Sequence, residues 1–172
     1  MIPQRVKLKG FLCYKEEQAI DFEGSATLWM LSGLNGSGKS AIFDAVTFAL
    51  FGHHRGGATG AVELINKDSD TLLVEFEFLL DGKPHRAKRT LKRDNKGGAK
   101  GTQVLFRHDD KGWNAIEGTE YKRQFDEWIG DNIGLNYDTF TSSVLLLQGR
   151  SEKLLDSRPE GRREVQIGRA HV

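Results

Sequence analysis

Eight consecutive residues in the first quarter of the chain combine three glycines with a lysine and a serine. The segment Gly33–Ser40, with the sequence GLNGSGKS, fits the pattern G-x-x-x-x-G-K-[ST]. Glycines in such a segment allow backbone N–H groups to turn inward and approach an anion without Cβ clashes. Lys39 would reach the β- and γ-phosphates of a nucleotide, and the hydroxyl of Ser40 would ligate magnesium. The pattern therefore predicts a P-loop that binds ATP with Mg²⁺.

A P-loop lies between a strand and a helix, and the flanking residues predict both. Ala26–Leu31 is a short apolar run bounded by glycines, as expected of a buried strand. Ala41–Phe51 predicts a helix that is apolar on nearly every side, which indicates burial in a layered α/β core. The N-terminus of this helix would direct unpaired N–H groups and a partial positive charge at the same anion.

Alternating apolar and polar residues predict strands elsewhere in the chain. In Thr71–Leu80 the apolar side chains fall on one face and Glu75 and Glu77 on the other. Asp81-Gly82 then favours a tight turn into the next strand. The predicted strands, which form an antiparallel β subdomain, are Val6–Phe11, Ala19–Phe22, Thr71–Leu80, His85–Leu91 and a strand near Thr102–Arg107.

The C-terminal third of the sequence predicts helices and one more buried segment. Apolar residues share one face of an amphipathic helix at Tyr121, Phe125, Trp128 and Ile129. Val144–Leu147 is an apolar run that leads into Gln148-Gly149. Ser157 and Glu160 have the spacing of a capping box, which predicts that a new, highly charged helix begins there.

Composition indicates a soluble, cytoplasmic protein. The chain has 172 residues, of which 38% are hydrophobic and 28% charged. No apolar run approaches the roughly 20 residues of a membrane helix, and the N-terminus lacks an apolar signal core, so we expect neither membrane insertion nor export. Cys13 is the only cysteine, which excludes an intrachain disulfide. The net charge of +1 gives no reason by itself to expect nucleic acid.

ATP hydrolysis also requires a carboxylate near magnesium and a group that orients water. No apolar strand in this sequence ends in Asp-Glu. Asp81 fits a hairpin turn better, and Asp126-Glu127 fits the solvated face of a helix. We therefore expect the catalytic carboxylates to lie outside this chain.

The ordered set of motifs resembles the N-terminal head segment of SbcC-type DNA-repair ATPases, within the SMC group of ABC-type ATPases. The resemblance extends over residues 1–166 and is more specific than the P-loop alone. The matching stretches are Leu8–Phe22, Leu34–Ala45, Ala49–Gly52, Phe76–Arg89, Leu145–Gly149 and Arg162–Glu164.

This resemblance implies a site and a reaction. Gln148 would be the Q-loop glutamine, which contacts magnesium and the attacking water, so the implied metal ligands are Ser40 and Gln148. Glu63–Ile65 would lie near the nucleotide, and Leu12 and Cys13 depart from the polar or basic residues that many members carry. The expected nucleotide-binding residues are Gly33, Asn35, Gly36, Ser37, Gly38, Lys39, Ser40, Ala41 and Gln148.

The resemblance also implies partners and boundaries. Two heads would sandwich two ATP molecules, an SbcD-type nuclease would bind near the base of a coiled coil, and DNA would be the substrate of the assembly. Residues 1–156 would form the N-terminal lobe of the head, and residues 157–166 would begin the coiled coil. We expect residues 167–172 to be a non-native scar, because the hexapeptide corresponds to one reading frame of a common sequencing adapter.

Two weaker signals remain open. Eight Lys or Arg residues and one acid lie between Lys83 and Lys100, which fits either a phosphate-binding patch or a solvated hairpin. Arg86, Lys88 and Lys92 should share one strand face, and Arg89 and Arg93 the other, so they cannot all contact one duplex. Arg55, after His53-His54, resembles an arginine that senses nucleotide or DNA in SMC-type heads, but it also fits a solvated loop.

Four functions compete. The leading one is an ATPase of double-strand-break repair, inactive in turnover until the missing C-terminal half is present. The others are an SMC-like chromosome-organising ATPase or nucleotide-gated clamp, an ABC transporter ATPase, and a small-molecule P-loop kinase. Lys39 and Gln148 lie 109 positions apart, a longer separation than resemblance to transporter ATPases would give. A kinase would offer no such glutamine.

Overall fold

The computed structural model describes residues 1–22, 34, 36–54 and 61–143. The chain divides into two compact units, Met1–Trp128 and Ile129–Val172. The predicted strand at Ala26–Leu31, the apolar segment at Val144–Leu147 and the charged helix after Ser157 lie outside the described residues.

An antiparallel sheet of six strands dominates the described part of the first unit, with the order β2-β1-β3-β4-β5-β6. Its strands are β1 Ile2–Lys9, β2 Gln18–Asp21, β3 Thr71–Leu80, β4 Lys83–Arg93, β5 Ala99–Asp109 and β6 Gly112–Ala115. The helices are α1 Lys39–Phe51, a short 3₁₀ turn Ala61–Leu64, α2 Lys122–Ile133, which crosses the boundary between the units, and α3 Tyr137–Ser143 in the second unit. The five strands predicted for the antiparallel sheet and the helix after the loop are confirmed, with ends displaced by a few residues, whereas the strand predicted at Ala26–Leu31 stays a prediction and β6 was not predicted.

The two faces of the sheet differ, as the alternation in β3 predicts. Val74, Phe76 and Phe78 are buried on one face. On the other face Glu77 pairs with Arg86 at 2.6 Å and Glu75 with Lys88 at 3.2 Å. The buried face packs against α1, which contacts β1, β3 and β4.

Helix α1 is held at its C-terminal end by a side chain from the sheet. Gly52 adopts a left-handed conformation there (φ 68°) and donates its N–H to the carbonyl of Phe48. The last turn of α1 carries no basic residue of its own. Arg89 of β4 donates from Nε to the carbonyl of Ala49 at 3.0 Å and from Nη2 to that of Leu50 at 3.4 Å. A cation at this position satisfies unpaired carbonyls and offsets the negative end of the helix dipole, an effect of about 0.3–1 kcal/mol at exposed sites and more when partly buried.

The guanidinium of Arg89 is itself buried and surrounded on its other sides. It lies 4.3 Å from the ring centre of Phe125 and 4.0 Å from a carboxylate oxygen of Asp126. Burial lowers the pKa of Arg89 to about 10, and the Asp126 carboxylate opposes this shift. Arg89 therefore remains charged at neutral pH. A Cβ on Gly52 would lie only 3.2 Å from Arg89 Nη1, so the guanidinium further restricts which residue fits at position 52.

Within the described ranges, no helix combines the length and the apolar character needed to cross a membrane. The same ranges contain no group of three or more His, Cys, Asp or Glu residues that could hold a metal ion.

Candidate nucleotide-binding site

Two left-handed glycines shape the described part of the predicted loop. Gly36 has φ 84° and Gly38 has φ 89°, values that residues with a Cβ rarely adopt. Ser37 donates its N–H to the carbonyl of Leu34 at 3.2 Å, which closes a tight turn. Gly38 is the N-cap of α1 and, as a glycine, offers no side chain to cap the helix, while the N–H of Ala41 donates to the carbonyl of Gly38 at 2.9 Å. The positive end of the helix dipole therefore lies directly after the glycine turn, where it favours an anion.

Gly38 is also enclosed by neighbouring side chains, in contrast to Gly36. A Cβ added to Gly38 would lie 2.8 Å from both Cys13 Sγ and Tyr14 Oη, closer than real contacts allow. A Cβ on Gly36 would meet nothing within 4 Å. The glycine at position 36 is therefore required by backbone conformation alone, whereas the one at position 38 is required by both conformation and space.

Lys39 is positioned over the loop that precedes it. Its Nζ donates to the carbonyl of Leu34 at 2.7 Å and contacts Ser37 Oγ at 3.4 Å. The Ser40 side chain is exposed next to it in the first turn of the helix. The chain therefore places an ammonium group, a hydroxyl and the positive end of a helix dipole at one point, which is the chemistry that binds a phosphate.

A second wall of the site is the turn Gly10–Tyr14, between β1 and β2. Phe11 and Tyr14 exchange backbone hydrogen bonds of 2.8 Å in both directions. Leu12 donates its N–H to the carbonyl of Leu64 at 2.7 Å, and Asn66 Nδ2 donates to the carbonyl of Leu12 at 2.6 Å. The turn is thereby attached to the end of the 3₁₀ turn and to the residues that follow it.

An open cleft of about 810 Å³ lies where these two segments meet. Leu12 and Cys13 line it from the turn, and Val62, Glu63 and Ile65 line it from the other side. The walls combine this apolar surface with carboxylates, an amide and basic side chains, because the cleft is also lined by Lys15, Asn66, Lys67, Asp68 and Arg93. Because Cys13 also contacts Gly38, the cleft is adjacent to the predicted phosphate loop.

Six of the nine predicted nucleotide-binding residues are consecutive here, from Gly36 to Ala41. Gly33, Asn35 and Gln148 lie outside the described residues, as does Arg55, so the predicted metal pair of Ser40 and Gln148 stays a prediction. The contact of Tyr14 with Gly38 was not predicted. The only hint in the sequence is that Tyr14 lies in a polar turn between two strands.

A left-handed glycine loop, a lysine folded over it and the N-terminus of a buried helix are the arrangement expected of a P-loop. Residues 5–167 match the AAA_23 family, described as an AAA domain, and the chain belongs to this family. The predicted α/β P-loop class is confirmed by this match and by the antiparallel sheet. The predicted start of a coiled-coil helix lies outside the described residues.

Individual relatives support the resemblance to SbcC-type ATPases. The chain is 37% identical to the SbcC component of nuclease SbcCD from Deinococcus radiodurans, over 96% of this chain and 18% of the relative. It is 32% identical to a probable DNA double-strand break repair Rad50 ATPase of Aquifex aeolicus, over 93% of this chain and 16% of the relative. The chain thus spans less than a fifth of the curated relatives it matches. An SMC head domain from Thermotoga maritima has a TM-score of 0.45 at 23% identity, over 72% of this chain and 42% of that one.

Gly38→Ala should abolish nucleotide binding, because the added methyl requires a rare backbone conformation and collides with Cys13 and Tyr14. Isothermal titration with Mg·ATP measures this loss. Gly130→Ala is the matched control, since its Cβ would meet nothing within 4 Å and the change favours the helix. Unchanged affinity in a folded Gly38→Ala variant would contradict the assigned geometry.

Proposed function

We propose that this chain is the N-terminal, nucleotide-binding part of an SbcC/Rad50-type ATPase head that acts in DNA double-strand break repair. The observation that carries the proposal is the position of the Lys39 ammonium over the loop, at the N-terminus of α1. The names of the relatives, a component of nuclease SbcCD and a Rad50 ATPase of double-strand break repair, supply the biological context.

The triphosphate would lie in the loop formed by Gly33–Ser40, with Asn35 and Ala41 at its two sides. When the nucleotide binds, the Lys39 ammonium would donate to phosphate oxygens instead of the Leu34 carbonyl. The lysine would move little, and its new hydrogen-bond acceptor would carry a negative charge. The exposed hydroxyl of Ser40 and the side chain of Gln148 would hold Mg²⁺, which neutralises charge between the β- and γ-phosphates.

The base and sugar would occupy the open cleft next to the loop. The cleft is large enough for a nucleoside. Its apolar side chains offer a surface for a flat base, and its carboxylates, amide and basic side chains offer hydrogen-bond partners for a hydroxylated ring. This arrangement agrees with the role near the nucleotide that the family resemblance implies for Glu63–Ile65.

Turnover would require groups that this chain does not supply. We infer that residues 1–156 form one lobe of the head, that residues 157–166 begin a coiled coil, and that a C-terminal half completes the site. Two such heads would enclose ATP between them, and an SbcD-type nuclease would act on DNA bound to the assembly in the cytoplasm.

The first test compares nucleotide binding with turnover in this chain. We expect measurable Mg·ATP binding but no multiple-turnover phosphate release. Lys39→Ala should weaken binding by about 10–100-fold, because a hydrogen bond from a charged donor contributes about 1.5–3 kcal/mol. Lys111→Ala, at an exposed lysine of the turn between β5 and β6, is the control. Equal affinity of the wild type and Lys39→Ala for Mg·ATP would refute the proposed site. Multiple-turnover phosphate release by this chain, if Lys39→Ala abolishes it, would refute the need for a C-terminal half.

Fewer basic residues are available to contact DNA than the run of eight suggests. Arg89 and Arg93 lie on the inner face of β4, where Arg89 binds the end of α1 and Arg93 donates to the carbonyl of Ile65 at 3.0 Å. Arg86 and Lys88 lie on the outer face but pair with Glu77 and Glu75. These four are therefore already engaged within the protein.

Three exposed lysines remain together at the end of the β4–β5 hairpin. Lys92 and Lys100 are direct cross-strand partners, and Lys96 lies in the connecting turn. Like charges directly opposite each other in a sheet repel. A phosphate backbone would relieve this repulsion while its counterions are released. We therefore assign the DNA-phosphate contact to these three lysines.

Replacing Lys92, Lys96 and Lys100 together by alanine should reduce the salt dependence of duplex DNA binding. The plot of log K against log salt has a negative slope, and each lost phosphate contact reduces its magnitude by about 0.9. We therefore expect the magnitude of the slope to fall by about 2–3. Fluorescence anisotropy over a KCl series measures it.

The control is a variant with the same loss of charge elsewhere on the surface, at Lys111, Lys122 and Arg123. If both triple variants lower the slope equally, the binding depends on overall charge and the assignment to the hairpin end is wrong.

A further inference from the structure

The turn Gly10–Tyr14 is held in place by more contacts than a simple connection between two strands needs. Phe11 is fully buried and its ring lies 6.0 Å from that of Phe48 in α1. The hydrogen bonds of Leu12 and Asn66 anchor the other side of the turn. The side chains that follow Phe11 are therefore held in place relative to α1.

One of these side chains is directed at the phosphate loop. The distances to a Cβ built on Gly38 are 2.8 Å from Tyr14 Oη and 2.9 Å from Tyr14 Cζ. The phenol hydroxyl consequently lies close to Gly38, the N-cap of α1. In the proposed function, phosphate oxygens would lie at this end of the helix.

The Tyr14 hydroxyl has no hydrogen-bond partner in the part of the chain that the structure describes, although its ring is half-buried. Burial raises the pKa of Tyr14, and the Cys13 thiol raises it further. The phenol is thus protonated at neutral pH and has one O–H donor available.

We propose that Tyr14 is a further nucleotide-binding residue, whose ring supports Gly38 and whose hydroxyl donates a hydrogen bond to a phosphate oxygen of the bound nucleoside triphosphate. This inference rests on the proposed function, because it requires the phosphates to occupy the loop Gly33–Ser40. It adds a side-chain donor from outside the loop. The firmly held turn places this donor before the ligand arrives, so little conformational entropy is lost on binding.

The test is Mg·ATP binding to this chain by titration, with the thermal unfolding midpoint of the nucleotide-free protein as a second measurement. Tyr14→Phe keeps the ring and removes only the donor. We expect its Kd to rise about tenfold, as for the loss of a hydrogen bond to a charged group, while the unfolding midpoint stays within a few degrees of the wild type. Tyr121→Phe removes a hydroxyl from a tyrosine that is 63% exposed and should change neither quantity.

Tyr14→Leu separates the ring from the hydroxyl, and we expect it to lower both the affinity and the unfolding midpoint. If Tyr14→Phe binds Mg·ATP as well as the wild type while Lys39→Ala does not bind, the donor role of Tyr14 is wrong and the proposed function stands. If neither the wild type nor any variant binds Mg·ATP, the proposed function itself fails. A lower unfolding midpoint in Tyr14→Phe without loss of affinity would assign the hydroxyl a structural role only and would also overturn the inference.

Discussion

The candidate nucleotide site depends on close contact between the backbone of Gly38 and the turn Gly10–Tyr14. This contact leaves no space for a side chain at Gly38, whose backbone is left-handed where α1 begins. The positive end of the helix dipole therefore lies beside the loop, and the Lys39 ammonium donates to the loop carbonyl of Leu34. Charge, hydrogen-bond donors and access for an anion thus follow from one steric arrangement.

The opposite end of α1 is fixed by a different kind of interaction. There Arg89 binds the last carbonyls of the helix while its guanidinium lies against Phe125 and Asp126. The helix is therefore connected at one end to the turn after β1 and at the other to β4 and the first half of α2. Movement of the sheet relative to α1 would require both contacts to change, which gives the β subdomain a direct mechanical connection to the phosphate loop.

The sequence was most informative where local sterics or periodicity decide the structure. The glycine pattern predicted the loop, and the alternation in Thr71–Leu80 predicted which face of the sheet is buried. Asp81-Gly82 predicted a turn, and the structure shows that both residues there have positive φ. The short strand Gly112–Ala115 was missed because four residues with a glycine and an asparagine carry little β signal.

The sequence was least informative about contacts that depend on distant packing. Arg89 lies 40 and 39 positions from the two residues whose carbonyls it binds, and Tyr14 and Gly38 are likewise far apart in the chain. No local pattern encodes such contacts. Gln148, assigned by resemblance, stays a prediction because it lies outside the described residues.

In the proposed site, main-chain N–H groups around Lys39 bind a polyphosphate. The decisive measurement is an amide ¹H–¹⁵N NMR titration of the ¹⁵N-labelled chain with Mg·ATP. We expect the largest shifts at the amides of Gly36–Ala41, with smaller shifts in the turn Gly10–Tyr14. Loop amides that remain unchanged at saturating Mg·ATP, or shifts confined to the outer face of the sheet, would contradict the proposed site.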